Sequence, residues 1–251
     1  MSSSTKISHP HHSPPPTLHI FDSHSALGVA AARDIAACAV KAIAARGRFT
    51  VAFSGGSLPK LVFPALAAAV PSHRWAHWFV FWADERMVLP SHPDSNFRLA
   101  KETLLDHISI PPEHVFAVDT TLPAAKAARK YQKVIETEMG NPPKFDAILL
   151  GVGPDGHTAS LFPGHPLLTE TQRYVASVLD SPKPPPERVT LTLPVLKNAG
   201  SIFFIVTGAN KADILPRVLL PADDSQLPAA MVQIANISTH WYVDVAAAGK
   251  I

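Results

Sequence analysis

The sequence predicts an α/β fold in which a mostly parallel sheet carries helices on both faces. Short β-rich runs alternate with longer helical runs along most of the chain, the pattern of repeated strand-helix-strand units. Two of the β-rich runs, Ala147–Gly151 and Ile202–Thr207, are apolar at nearly every position, as strands buried on both sides require. Glycine-rich or charged segments follow the carboxyl ends of the strands, which is where open α/β sheets gather their ligands.

Taken in order, residues 1–17 form a Ser/His/Pro-rich tail with one lysine and no apolar stretch. The tail is expected to be disordered, because it cannot bury enough apolar surface to offset its chain entropy. It has no secretory pattern. Its clustered His9, His11 and His12 lack a fixed scaffold, so no metal site is expected there. Residues 18–251 then read as one domain. Strands are predicted at Leu18–Phe21, Thr50–Ser54, Trp78–Ala83, Ala147–Gly151, Arg188–Leu193 and Ile202–Thr207. Helices are predicted at Ser25–Ala45, Pro59–Ala69, Asn96–His107, Pro123–Met139 and Lys211–Leu220. The Pro-rich stretch Ser181–Pro186 reads as a stiff loop inside the domain, because a strand follows it at once.

Composition narrows the function. The chain has 251 residues, 47% hydrophobic and 17% charged, enough to bury roughly 70–75% of its unfolded surface. A net charge of +2 and the absence of any Lys/Arg run speak against a nucleic-acid or membrane-surface partner. The apolar stretches are too short to span a bilayer. Cys38 is the only cysteine, which excludes an internal disulfide and a multi-thiol zinc site. A cytoplasmic protein with no obligate protein partner is the expectation.

The chemistry sits after the strands. Ser54-Gly55-Gly56-Ser57 leads into a helix at Leu58-Pro59. It is either a tight strand-to-helix turn or a cradle in which glycines let the backbone approach a phosphate at the helix start, with Ser57 as N-cap. Asp84-Glu85-Arg86 is either a solvated turn or an arginine held by two carboxylates against an anionic or carbonyl group. Residues 151–156 spell GxGxxG, but Pro163 and Pro166 leave no room for the long helix of a dinucleotide site. What remains is a glycine-rich loop presenting Asp155 and His157. A histidine titrates near neutrality and suits general-base work, with the carboxylate to orient it. Arg188 follows the stiff proline loop, and Lys211 begins a predicted helix after Ile202–Thr207; each is a candidate anion contact or an ordinary basic residue.

The strings FSGGS, WADER, LLGVGPDGHTASLFPGHPLL, DSPKPPPERVTLTLPVL and VTGANK, in that order over most of the chain, resemble the 6-phosphogluconolactonase family. The resemblance implies a Rossmann-like three-layer α/β/α fold shared with glucosamine-6-phosphate deaminases and ribose-5-phosphate isomerases. It also implies hydrolysis of 6-phospho-D-glucono-1,5-lactone to 6-phosphogluconate. In that setting His157 matches the catalytic histidine, Arg86 polarises the lactone carbonyl and Asp155 orients His157 or contacts sugar hydroxyls. Gly55, Gly56, Ser57, Arg188 and Lys211 hold the phosphate. No metal or organic cofactor is implied. Two alternatives stand beside this reading: the deaminase branch, and a non-catalytic sugar-phosphate-binding protein. The deaminases follow their DGH with a glutamate five residues after the histidine, where this chain has Phe162. A binding protein would be expected to lack the histidine.

Overall fold

The computed structural model describes residues 2–6, 15–220, 226–233 and 237–251. The chain begins with β1 (Ser2–Lys6) and β2 (Thr17–Phe21), followed by α1 (His24–Arg46), β3 (Phe49–Phe53) and α2 (Leu58–Ala69). Then come β4 (Trp78–Trp82), β5 (Asp84–Arg86), α3 (Asn96–Thr103), α4 (Ala124–Met139) and β6 (Ala147–Leu150). The last part holds β7 (Val175–Val178), β8 (Arg188–Leu191), α5 (Leu193–Leu196) and β9 (Ser201–Val206), then α6 (Leu215–Leu219), α7 (Pro228–Val232) and β10 (Ser238–Asp244).

Seven strands form the main sheet in the order β1-β2-β10-β9-β6-β3-β4. All its pairings are parallel except that of β1 with β2. Alternate residues of one strand feed two cores. Ile148 and Leu150 of β6, with Phe204 and Val206 of β9, pack on the side of α4. Ala147, Leu149, Phe203 and Ile205 pack on the side of α1 and α2. Such two-sided burial is why these strands carry no polar alternation. The helices are set by local chemistry as well. Ser23 caps α1 by accepting from the Ala26 amide, and Gly47 closes it in the left-handed conformation, which suits glycine best.

Three expectations change. Ser2–Lys6 belongs to the predicted disordered tail but pairs antiparallel with β2, Ser2 opposite Phe21. Pairing along a sheet edge uses backbone groups and needs no apolar side chain, so composition missed it. The rest of the tail, Met1 and residues 7–14 with His9, His11 and His12, lies outside the described residues. The strand at Arg188 does not join the parallel sheet. It is the centre of a second, antiparallel sheet ordered β5-β8-β7. Finally, the predicted helix Lys211–Leu220 splits into a 3₁₀ turn, Ala209–Lys211, and α6. Pro216 sits in the first turn of α6, a position where proline starts a helix but cannot continue one.

The order of strands fixes where a ligand can sit. From β3 the chain moves outward to β4, whereas from β6 it moves the other way to β9 and β10. Neighbouring strands whose connections diverge open a crevice at their carboxyl ends. The segments there are Ser54–Ser57 and Gly151–His157.

Candidate active site

A cavity of about 210 Å³ occupies that crevice, and His157, Arg86, Arg188, Lys211 and the Gly55-Gly56-Ser57 turn all line it. The structure thus brings together nearly every residue singled out in the sequence. Asp155 stands one step back, touching His157 rather than the cavity wall.

The turn after β3 depends on its glycines. A Cβ on Gly55 would lie 1.9 Å from the Asn96 Oδ1 atom, and Gly56 has φ +73°, so neither position accepts a side chain without displacement or strain. Ser57 precedes α2 as expected, but it makes no side-chain cap bond. The second residue of the helix is Pro59, which lacks an amide that a cap would satisfy. The Ser57 hydroxyl is therefore left for the cavity. Ser54 also lines the cavity, and its Oγ is buried without a partner among the described residues.

The glycine loop after β6 folds back on itself. The Gly153 amide donates to the His157 carbonyl at 2.8 Å and the Gly156 amide to the Gly153 carbonyl at 2.9 Å. This curl brings the His157 ring so near Gly153 that a Cβ there would fall 1.9 Å from Nδ1. Asp155 Oδ1 lies 2.5 Å from His157 Nδ1. Burial opposes the charged form of Asp155, but the bond and charge of His157, together with Lys183, outweigh it and hold the carboxyl at about 2. An ionised carboxylate only accepts, so Nδ1 carries the proton and Nε2 is the basic nitrogen. Burial is the main influence on His157 and lowers its pKa, with Asp155 pulling the other way. Phe162 packs against the ring at 4.9 Å between centroids.

The antiparallel sheet supplies two further lining residues, Arg86 and Arg188. In the β5–β8 pairing Arg86 stands directly across from Arg188. Like charges in cross-strand register repel, so the pair favours an anion between or beside them. The Arg188 guanidinium is lowered in pKa, first by burial and then by Arg86. Most of its donors are already engaged. Nε bonds the Pro185 carbonyl at 3.0 Å, Nη2 the Lys183 and Pro184 carbonyls at 2.8 and 3.3 Å, and Nη1 the Ser160 hydroxyl at 3.3 Å. Arg86 is freer: Nη1 bonds the Asp94 carbonyl at 2.9 Å, while Nε is buried with no partner among the described residues.

The two carboxylates before Arg86 do not hold its side chain, contrary to expectation. Strand periodicity turns Glu85 away from Asp84 and Arg86, toward the start of α3. There Glu85 accepts from the Arg86 and Asn96 amides at 2.8 Å each and the Phe97 amide at 2.7 Å. Asp84 accepts from the Ser160 hydroxyl at 2.8 Å, and Asn96 Nδ2 donates to the Asp84 carbonyl at 2.8 Å. Burial pushes Glu85 up to about 7 against the pull of these amides. Asn96, which backs the Gly55 turn, was not visible in the sequence as a site residue. Neither was Lys183, whose Nζ lies 3.2 Å from Asp155 Oδ1 and 3.1 Å from His157 Nδ1. Its only sequence signal is its place in the proline loop just before Arg188.

Lys211 reaches the cavity on a turn anchored from β10. The Gly208 amide donates to both Asp244 carboxylate oxygens at 3.1 Å, and Gly208 has φ +98°. Burial lowers the Lys211 pKa, with Lys183 adding to the effect.

The fold and this cavity define an α/β enzyme of the Rossmann-like class, with a histidine-carboxylate pair facing several cations at the switch point. The family model described as "Glucosamine-6-phosphate isomerases/6-phosphogluconolactonase" matches residues 22–241, and the chain belongs to that family. It is 44% identical over 240 residues to the 6-phosphogluconolactonase of Rattus norvegicus, covering 93% of each chain. With the human 6-phosphogluconolactonase it shares 42% identity over the same length and coverage. Among solved structures, the 6-phosphogluconolactonase of Trypanosoma brucei superposes with a TM-score of 0.83 at 28% identity, over 94% of this chain and 98% of that one. A monomeric glucosamine-6-phosphate deaminase shares the fold, with a TM-score of 0.78 at 18% identity.

Proposed function

We propose that this chain is a hydrolase that converts 6-phospho-D-glucono-1,5-lactone to 6-phosphogluconate in the oxidative pentose phosphate pathway. The observation that carries the mechanism is the pairing of His157 with Asp155 at a cavity that Arg86 and Arg188 also line. His157 Nε2 takes a proton from water as the oxygen attacks the lactone carbonyl carbon. Arg86 stabilises the charge that develops on the carbonyl oxygen. When the tetrahedral intermediate collapses, the bond from that carbon to the ring oxygen breaks. The departing alkoxide recovers a proton from the His157 imidazolium, which Asp155 steadies meanwhile. No step requires a metal or an organic cofactor.

The phosphate is assigned to the Gly55-Gly56-Ser57 turn at the start of α2, with Lys211 and the remaining donor of Arg188. Backbone amides at a helix start and a cationic rim are the usual means of holding such a dianion. An unphosphorylated lactone would leave these groups unpaired, which gives selectivity. Phe162 occupies the place where the deaminase branch has a proton-transferring glutamate, and this favours hydrolysis over isomerisation. Residues 18–251 are read as one domain, since both cores share the same sheet. No helix among the described residues is long and apolar enough to cross a membrane. The lone, free cysteine supports a cytoplasmic setting.

The test is decay of freshly generated 6-phosphogluconolactone, followed above the spontaneous background for wild type and His157→Ala. Wild type is expected to accelerate decay, and His157→Ala to lose a factor of about 10²–10⁴. Rapid turnover by His157→Ala would remove the general-base assignment while keeping the reaction. No acceleration by wild type would overturn the reaction itself.

A further inference from the structure

Lys183 is absent from the mechanism above, yet it is the only cation in direct contact with the histidine-carboxylate pair among the described residues. Its placement is built rather than incidental. The Ser181 hydroxyl donates to the Lys183 carbonyl at 2.8 Å and accepts from the Lys183 amide at 3.2 Å. Arg188 grips the carbonyls of Lys183, Pro184 and Pro185, and the Ser181 amide closes the loop on the Pro186 carbonyl at 3.1 Å. A flexible side chain on a loose loop would spend its charge in water. Here the backbone is clamped on both sides, and the ammonium is delivered between two specific atoms.

We propose that Lys183 is a positioning residue for the reaction, whose ammonium, 3.2 Å from Asp155 Oδ1 and 3.1 Å from His157 Nδ1, adds to burial in keeping the imidazole neutral and ready to act as base. The proposal rests on the reading of His157 as the base. The physical argument is a balance of charges. Asp155 alone would favour the imidazolium, and a histidine already protonated cannot take a proton from water. An ammonium at hydrogen-bond distance from the same carboxylate shares its charge and repels a second positive charge on the ring. Around His157 the other charged groups are Asp84, which favours the imidazolium from farther off, and Arg86, Arg188 and Lys211, which line the same cavity. Phe162 contributes no charge on the remaining side. Lys183 also keeps Asp155 ionised, so that the Nδ1 proton stays on the ring and Nε2 stays open.

The experiment compares pH profiles of kcat/KM for wild type, Lys183→Met and Lys183→Arg on the same lactone. In Lys183→Met the acidic limb is expected to move upward by roughly one pH unit, with activity recovering toward wild type at alkaline pH. Lys183→Arg is expected to restore the wild-type limb. An equal displacement of the limb in both variants, or an unmoved limb in Lys183→Met together with an unchanged ring titration, would overturn the proposal, since neither would follow from charge. Direct NMR titration of the His157 ring in wild type and Lys183→Gln reads the same coupling without turnover, and an unchanged titration would also overturn it. A shifted ring titration with an unmoved kinetic limb would instead count against His157 as the base, which separates the two failures.

Discussion

Two polar clusters at opposite ends of the parallel sheet are built in different ways. At the amino ends, Asp146 before β6 accepts from the Thr50 amide at 2.9 Å and the Thr50 hydroxyl at 3.1 Å. Its own amide donates to the Thr50 carbonyl at 3.0 Å, and the Gly200 amide donates to Phe145 at 2.8 Å. Arg46 closes the cluster on the Asp146 carboxylate. At the carboxyl ends, Ser54 Oγ and Arg86 Nε are buried without partners among the described residues, and two arginines face each other across β5 and β8. Buried polar groups left unpaired cost free energy, so a fold tolerates them where a ligand completes the set. The Asp146 cluster ties the strands together, whereas the unpaired Ser54 and Arg86 atoms are left at residues that line the cavity.

Substitutions at the two ends should therefore separate activity from stability. The largest effect is expected from Arg86→Met, which removes the donor that the proposed mechanism assigns to the developing oxyanion. Its kcat/KM should fall by about 100-fold or more, while the melting temperature holds or rises because the repulsion of Arg188 is gone. A lower melting temperature with intact turnover would reverse the roles of the two ends. Asp146→Ala should do the opposite. It strands the buried Thr50 amide and should cost about 1–3 kcal/mol in chemical denaturation, with kcat/KM at permissive temperature unchanged. The smallest effect concerns Glu85, which lies between the two regimes because it is paired yet borders the site. Its folded pKa is raised from 4.5 to about 7, so the native state holds a proton that the unfolded chain releases. The stability this confers is present below about 4.5 and is lost as pH rises to 7. Glu85→Gln cannot titrate, so the stability of wild type relative to this variant should decline between those limits and stay level above them. Urea midpoints measured across that range check it.

Some of the site was legible because catalysis needs residues that interrupt a strand pattern. Ser54–Ser57, Asp84–Arg86 and Gly151–His157 each follow an apolar run with glycine or charge, and an apolar run predicts its strand without reference to the rest of the chain. The short strand Val175–Val178 and the more polar Ser238–Asp244 were missed, since neither offers a long apolar run. Ser238–Asp244 does carry aromatic and β-branched residues, a signal that could have found it. Lys183 looks like any loop lysine until its distance to His157 is known, and Asn96 looks like an ordinary residue at a helix start.

The sequence by itself determined the α/β class, the positions of β2, β3, β4, β6 and β9 in the main sheet, and the identities of His157, Asp155, Arg86 and Lys211 as residues with chemistry to offer. These follow from local periodicity and residue type. Only the tertiary structure decided that Arg188 faces Arg86 and anchors the Lys183 loop, that Glu85 accepts from the first amides of α3 instead of steering Arg86, and that Lys183 stands against His157. Those outcomes depend on pairings between segments far apart in the chain. Strand register and loop closure set such pairings through the packing of the whole molecule, and no window of sequence contains both partners.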